Sequence, residues 1–355
     1  MGTVIDRDEV SVDLTVAAGD LWVDPAQMES ATGWVLKPEG LCRGDICVPV
    51  RDRGDLVDDS GRIGLGAFAH ATGRVAAIDT DALVVVLGDG GQTRREALET
   101  LRAPDVTLAG LDGRTHQLSE WNGRKRAVVA WASWCGCRYE LASWQALRDE
   151  LAPTGFEILS VALDEGVEVA RPWVEASDPA PQFPVMVDPD HRIVEAFGVV
   201  NVPSVVWIDE DDRIVRAPVI APGDDQFREF TEIDSSVHHD QLRAWVRDGE
   251  VPSTDPAAVR AGLNVPTDEL QQARVERRLA AWLHRHGHEE GALAAIGRAL
   301  ALAPLDFTIN RASMWQRGAD PFGTEFFKLW ETWIDAGRPG YASAAGPPPP
   351  ASNPR

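Results

Sequence analysis

Cysteine is scarce. The 355 residues carry four, in two close pairs: Cys42 with Cys47, and Cys135 with Cys137. At this length, that count excludes a small scaffold stapled by disulfides. Basic residues are also short: 34 Lys and Arg face 56 Asp and Glu, for a net charge of −22. Such a field opposes nucleic-acid phosphates and anionic lipid headgroups, so neither a nucleic-acid nor a membrane partner is expected. No apolar run reaches the length of a transmembrane helix. Met1 to Val16 carries Asp6, Asp8, Glu9 and Asp13, without the basic and then apolar order of a signal peptide. A cytoplasmic location is the expectation. What is present is ordinary for a globular chain, 44% apolar and 25% charged residues, and enough length for two or three domains.

The chemistry concentrates in Trp131-Ala132-Ser133-Trp134-Cys135-Gly136-Cys137-Arg138. An apolar run, Ala127 to Ala130, precedes it. After it, Leu141, Trp144, Leu147 and Leu151 recur at helical spacing. Two thiols therefore lie where a buried strand ends and a helix begins. Unpaired N–H groups and the helix dipole stabilise a thiolate there, and Arg138 adds a cation. Cys135 is the expected redox nucleophile. A buried, inert thiol is the plain alternative.

The rest of the chain divides by pattern. Residues 1–102 read as β-rich, with Val10 to Val16 alternating as one strand, and Arg74 to Ile78 and Leu83 to Leu87 as two more. Arg51 to Gly66 reads as loop. Within this region Cys42 and Cys47 suit a disulfide, half a metal site, an accessory dithiol, or two buried apolar thiols. Residues 103–249 alternate strand and helix, an α/β domain. Its strands are expected at Ala127 to Trp131, Phe156 to Leu163 and Phe183 to Val187. A hairpin is expected from Ser204–Ile208 and Arg213–Val215. A helix over Val167 to Ala176 carries Pro172 near its first turn. Residues 250–267 read as a linker and 268–338 as helical: Glu269 to His286, Glu289 to Leu302, Thr308 to Arg317 and Gly323 to Ala336. The second of these resembles half of a tetratricopeptide (TPR) repeat, with a plain helical hairpin packed on the redox domain as the alternative. That region is a candidate surface for a protein partner. Residues 339–355 are expected to form a disordered, Pro-rich tail.

Residues 103–216 resemble the TlpA/ResA-like branch of the thioredoxin superfamily. The matching segments are Ala103-Pro104-Asp105, Leu111-Asp112-Gly113, the Trp131 to Cys135 stretch, Glu140, Asp188, Phe197-Gly198-Val199 and Val202-Pro203-Ser204. The resemblance implies a thioredoxin-like α/β fold, a central mixed sheet with flanking helices. It also implies a cis-proline at Pro203 facing the cysteines, with Glu140 and Trp134 beside them. The dithiol is one residue shorter than the family's Cys-x-x-Cys. In this it resembles the WAxxUGC subgroup, with Cys135 in the place selenocysteine can hold. That likeness implies that Cys135, not Cys137, attacks; Cys137 is then the expected resolving thiol.

Two-residue spacing points side chains apart inside a helix. Closure of a Cys135–Cys137 disulfide then needs Cys135 before the first turn and Gly136 with unusual backbone angles. Such a ring is expected to be strained and a better oxidant or isomerase than reductant. Alternatively, an external thiol or the accessory thiols Cys42 and Cys47 resolve Cys135. Partners are then protein or small-molecule thiols and disulfides. Two other readings compete: a thiol peroxidase acting through Cys135, since Ala132 to Gly136 also resembles glutathione peroxidases, and a TPR-like scaffold with a degenerate redox domain. A metal site would draw on the four cysteines together, Cys42 and Cys47 with Cys135 and Cys137, with His284, His286 and His288 able to add ligands. Cys-x-Cys lacks the usual zinc spacing, so no metal and no other cofactor is expected.

Overall fold

The computed structural model describes residues 1–50, 53–264 and 266–340. It divides into two compact units: Met1–Arg94 with Pro266–Pro304, and the described residues from Arg95 to Asn264 with those from Leu305 to Gly340. The boundary expected after residue 102 falls earlier, because Leu98 and Leu101 are buried with Ala217 and Leu263 of the second unit. The helical region expected as one piece over 268–338 is cut after Pro304.

In the first unit, four strands pair in the order Glu9–Val12, Gly2–Ile5, Val84–Asp89, Arg74–Asp79. Val85 and Leu87 point to one face, against Phe68 of the Leu65–Ala71 helix. Val84 and Val86 point to the other, against Val275, Leu279 and Leu283. The last three lie on the Asp268–Arg285 helix, which pairs with Glu289–Leu302 as a hairpin. The hairpin's apolar stripe is thus covered by the N-terminal sheet of its own unit. Two other expectations change here. The strand expected over Val10 to Val16 breaks at Asp13, whose N–H donates to Gln27 Oε1 at 3.1 Å, and its halves join different sheets. The stretch expected as loop ends in a short strand, Ile63–Gly64.

Cys42 and Cys47 stand opposite each other on the Gly40–Arg43 and Ile46–Val48 strands and are joined as a disulfide. Glu39 lies close to both sulfurs, but bonded sulfurs offer no pair of thiolates to a metal. The three histidines do not converge either. His284 Nδ1 meets Glu289 at 2.8 Å, whereas His286 Nδ1 meets the Trp282 carbonyl at 2.8 Å and its ring stacks on that indole.

The second unit is built on a seven-stranded mixed sheet, in the order Thr115–Gln117, Thr107–Gly110, Val185–Val187, Glu157–Ala162, Arg126–Trp131, Ser204–Ile208, Ile214–Ile220. The three central strands from Val185–Val187 to Arg126–Trp131 are parallel; their neighbours are antiparallel. Both faces are covered, which is why these strands read as unbroken apolar runs. Val128, Ala130, Leu159 and Val161 enter one core, beside the Arg192–Phe197 helix. Ala127, Val129 and Ile158 enter the other, with Trp144 and Leu147 of the Leu141–Leu151 helix and Trp245 of the Ser235–Asp248 helix.

Some local expectations are corrected here too. Pro172 occupies the sixth position of the Val167–Glu175 helix, not its first turn. The linker holds a helix, Pro256–Ala261, capped by Asp255 and packed on Ile214–Ile220. The helix expected over Thr308 to Arg317 is a run of turns in which hydrogen bonds of different span alternate, as Arg311 N to Phe307 O and Met314 N to Arg311 O. The Thr324–Asp335 helix follows. The Pro-rich tail lies outside the described residues.

Candidate redox site

The Arg126–Trp131 strand is buried along its whole length, and Trp131 Nε1 donates to Ser160 Oγ at 2.8 Å. The chain then turns on Ser133, whose N–H and hydroxyl both donate to Asp164, at 3.0 and 2.6 Å. Cys135 has extended backbone angles and caps a short 3₁₀ turn, Gly136–Tyr139, that leads into the Leu141–Leu151 helix. Cys135 therefore sits before the first turn, as ring closure requires, and Cys137 sits within it. Both are free thiols.

The sulfurs are nearly enclosed. Cys135 is 5% exposed and Cys137 3%. The Cys137 N–H donates to Cys135 Sγ at 3.3 Å, and Val202 O lies 3.5 Å from the same sulfur. The Val202–Pro203 peptide is cis. With both thiols free, Gly136 is absent from the positive-φ residues, and a Cβ there would lie 2.7 Å from the Phe227 ring. Close packing is therefore one reason for the glycine in the open dithiol.

Burial is the largest influence on Cys135 and raises its pKa. A hydrogen bond from the Cys137 thiol, the Arg311 charge, the Cys137 N–H and the Arg138 charge together outweigh it, bringing the thiol down to about 7. Cys137 moves the other way. Burial, the bond to Cys135 and the charges of Cys135 and Glu140 hold it well above its usual value. Glu140 is 2% exposed and accepts from Gly223 N at 2.7 Å. Burial pushes its carboxyl well up, with Cys135 and Asp224 adding to that against the Gly223 bond.

A cavity of about 500 Å³ opens over the dithiol. Cys135, Cys137, Glu140 and Pro203 all line it. Trp134 does not: its ring is in the core and Nε1 donates to Leu163 O at 3.1 Å. Much of the wall comes from the C-terminal segment, with Phe307, Phe322, Phe326, Phe327 and Trp330. Phe307 N donates to Val200 O at 3.1 Å, which ties that segment beside the Val202–Pro203 turn.

Arg311 is the residue sequence reasoning missed. It is 7% exposed, lies 3.8 Å over the Phe326 ring, and interacts with both thiols. Burial pulls its own pKa down, against the favourable effect of Cys135 and Cys137. No local pattern marks it. In the sequence it stands between Asn310 and Ala312, six residues before a second arginine, Arg317.

The sheet order and the dithiol at the end of a central parallel strand define a thioredoxin-like domain. Residues 98–231 match the family model described as Redoxin. Curated relatives agree. The chain is 26% identical over 137 residues to "Thiol-disulfide oxidoreductase ResA" of Bacillus thuringiensis subsp. konkukian, which covers 38% of this chain and 78% of that one. It is 28% identical over 115 residues to the protein of the same description from Geobacillus thermodenitrificans, covering 32% and 65%. Among solved structures, a secreted Mycobacterium tuberculosis disulfide oxidoreductase aligns at 20% identity and a TM-score of 0.29, covering 36% of this chain and 87% of that one.

Proposed function

We propose that the chain is a thiol-disulfide oxidoreductase in which Cys135 attacks and Cys137 resolves. One observation carries the reading: Cys135 caps the turn before the helix and accepts the Cys137 N–H at 3.3 Å, and against its burial this bond, with the Arg311 and Arg138 charges, brings it down to about 7 while burial holds Cys137 well above its usual range. Near neutral pH, about half of Cys135 is thiolate, while Cys137 keeps its proton. The Redoxin match and the relatives' descriptions support an enzyme over a non-catalytic scaffold.

The Cys135 thiolate attacks one sulfur of a disulfide and forms a mixed disulfide, releasing a thiolate. Cys137 then passes its proton to the released substrate thiolate, a transfer that the neighbouring Glu140 carboxyl, itself protonated, can relay. The Cys137 sulfur attacks Cys135, the second substrate thiolate leaves, and a Cys135–Cys137 disulfide remains. Two electrons pass from the dithiol to the substrate, and an external dithiol restores the enzyme. Because the reduced form has a stabilised thiolate, the Cys135–Cys137 disulfide is biased towards oxidising. The Cys-Gly-Cys spacing fits the cysteine version of WAxxUGC, with Cys135 as its first redox position.

The test is mass mapping after a single turnover with a disulfide. Wild type should yield the Cys135–Cys137 link, Cys137→Ser should trap the substrate on Cys135, and Cys135→Ser should trap nothing. Substrate trapped on Cys137 would overturn the assignment. Faster single-turnover thiol loss with hydrogen peroxide than with any disulfide would favour a peroxidase instead.

A further inference from the structure

The thiols face a cavity and not an open surface, and the cavity has a definite chemistry. Its volume of about 500 Å³ lies within the range of small-molecule sites. Its wall is aromatic, and three of the lining rings stay partly exposed: Phe230 at 39%, Phe327 at 47% and Tyr139 at 49%. Exposed aromatic rings grouped around one opening mark a surface that an apolar group would cover. The cavity also holds two guanidinium groups. Arg138 stacks on Tyr139, Trp173 and Phe322, and Arg311 on Phe322 and Phe326. Among the described residues neither has a carboxylate within ion-pair distance, and the carboxyl that shares the cavity, Glu140, is driven by burial towards its neutral form. The Cys135 thiolate is the anion that both cations face in the cavity, and Asp164 adds a carboxylate within electrostatic reach of Arg138 only. Once that sulfur enters a mixed disulfide its charge is gone, and a buried cation without an anion is costly.

We propose that the cavity binds a small-molecule disulfide with an aromatic-sized apolar body and an anionic group, and that this compound, not a folded protein, is the substrate. The proposal rests on the thiol chemistry at Cys135 argued above. The apolar body lies against the exposed faces of Phe230 and Phe327, which pack edge-to-face on each other, its sulfur meets Cys135, and its anion replaces the lost thiolate charge beside Arg311 and Arg138. The thiolate that leaves is itself an anion formed next to the same guanidinium groups. Phe307, whose N–H is tied to Val200 O at 3.1 Å, shares the cavity wall with Pro203, which leaves less room there for a folded protein's backbone than for a small molecule.

The experiment is single-turnover loss of the Cys135 thiol in the reduced full-length protein. Four disulfides are compared: dibenzyl disulfide bearing para-carboxylates, its para-aminomethyl counterpart, hydroxyethyl disulfide, and a disulfide in an unfolded polypeptide. Each rate is divided by the rate of a free thiol with the same disulfide, which removes intrinsic reactivity. The carboxylated aromatic compound should exceed hydroxyethyl disulfide by at least about tenfold and the aminomethyl compound by about threefold. Phe230→Ser and Phe327→Ser should each lower the aromatic-to-hydroxyethyl ratio about threefold or more. Arg138→Gln should erode the carboxylate preference. Equal normalised rates across the small disulfides, or a fastest rate with the polypeptide, overturn the proposal. The comparison in wild type decides this even where a variant folds poorly. No reaction of Cys135 with any disulfide overturns the oxidoreductase reading instead.

Discussion

Arg311 sets the working state of Cys135 more directly than any other side chain outside the dithiol. Its charge and that of Arg138 oppose the burial that would otherwise keep the thiol protonated. Arg311→Met keeps the stem and removes the charge, so the Cys135 pKa should rise from about 7 by about one unit. At pH 7 the thiolate fraction then falls from about half to about a tenth. Alkylation rates measured against pH report this midpoint, and an unmoved midpoint would show that Arg311 plays no such part. A second residue ties the site to stability. Burial raises the Asp164 carboxyl to about 6 from 3.8, against the hydrogen bonds from Ser133. The folded state therefore holds that proton more tightly than the unfolded chain does. The resulting stability is complete below the unfolded value and is lost as pH rises through about 6. Its size is about 3 kcal/mol. Glu140, shifted in the same direction, adds to the trend. Asp164→Asn keeps an acceptor for Ser133 and removes the titration. Urea unfolding near pH 4 and near pH 7 should show a smaller loss of stability in the variant than in wild type. Equal losses would sink the argument.

At the scale of elements, the two cysteine pairs differ because their supports differ. Cys42 and Cys47 face each other across a hairpin, where strand register already brings the side chains together. Cys135 and Cys137 lie on a turn whose hydrogen bonds polarise one thiol against the other. The first pair is oxidised and the second free. Closing so short a loop contributes about 2 kcal/mol in the chain-entropy account. The Cys42→Ser, Cys47→Ser double variant should lose about that much in a denaturant titration. It should leave the Cys135 alkylation midpoint in place, and a shifted midpoint would link the hairpin to the redox site. Legibility also varied by element. The paired strands Arg74–Asp79 and Val84–Asp89 and the helix Glu289–Leu302 were readable because each carries its own periodicity. Thr308 to Arg317 was misread as helix because its composition is helical while its hydrogen bonds are not regular. Asp13 broke a strand through a contact with Gln27, which no alternation reveals.

For the whole molecule the net charge of −22 sets the long-range field. An anionic disulfide is repelled at a distance, even though Arg138 and Arg311 favour it at contact. Its second-order rate should therefore rise with salt, by a few-fold between about 10 and 150 mM, while a neutral disulfide stays flat. Stopped-flow thiol loss across that range checks the sign; a rate that falls with salt would mean that the field at the cavity mouth is positive. The sequence alone determined where the nucleophile lies. A buried strand, a dithiol and an amphipathic helix in succession specify that turn through local periodicity, and the segments around Glu140 and Pro203 specify the domain around it. Only the tertiary structure decided what stands over the thiols. Arg311 and the Phe322 to Trp330 aromatics reach them from the far end of the chain, through packing that leaves no periodic trace. The Phe227 ring packed against Gly136 likewise appeared only in the structure. The stretch from Trp131 to Arg138 was legible as a thiol site, but the cavity that would select its substrate was not.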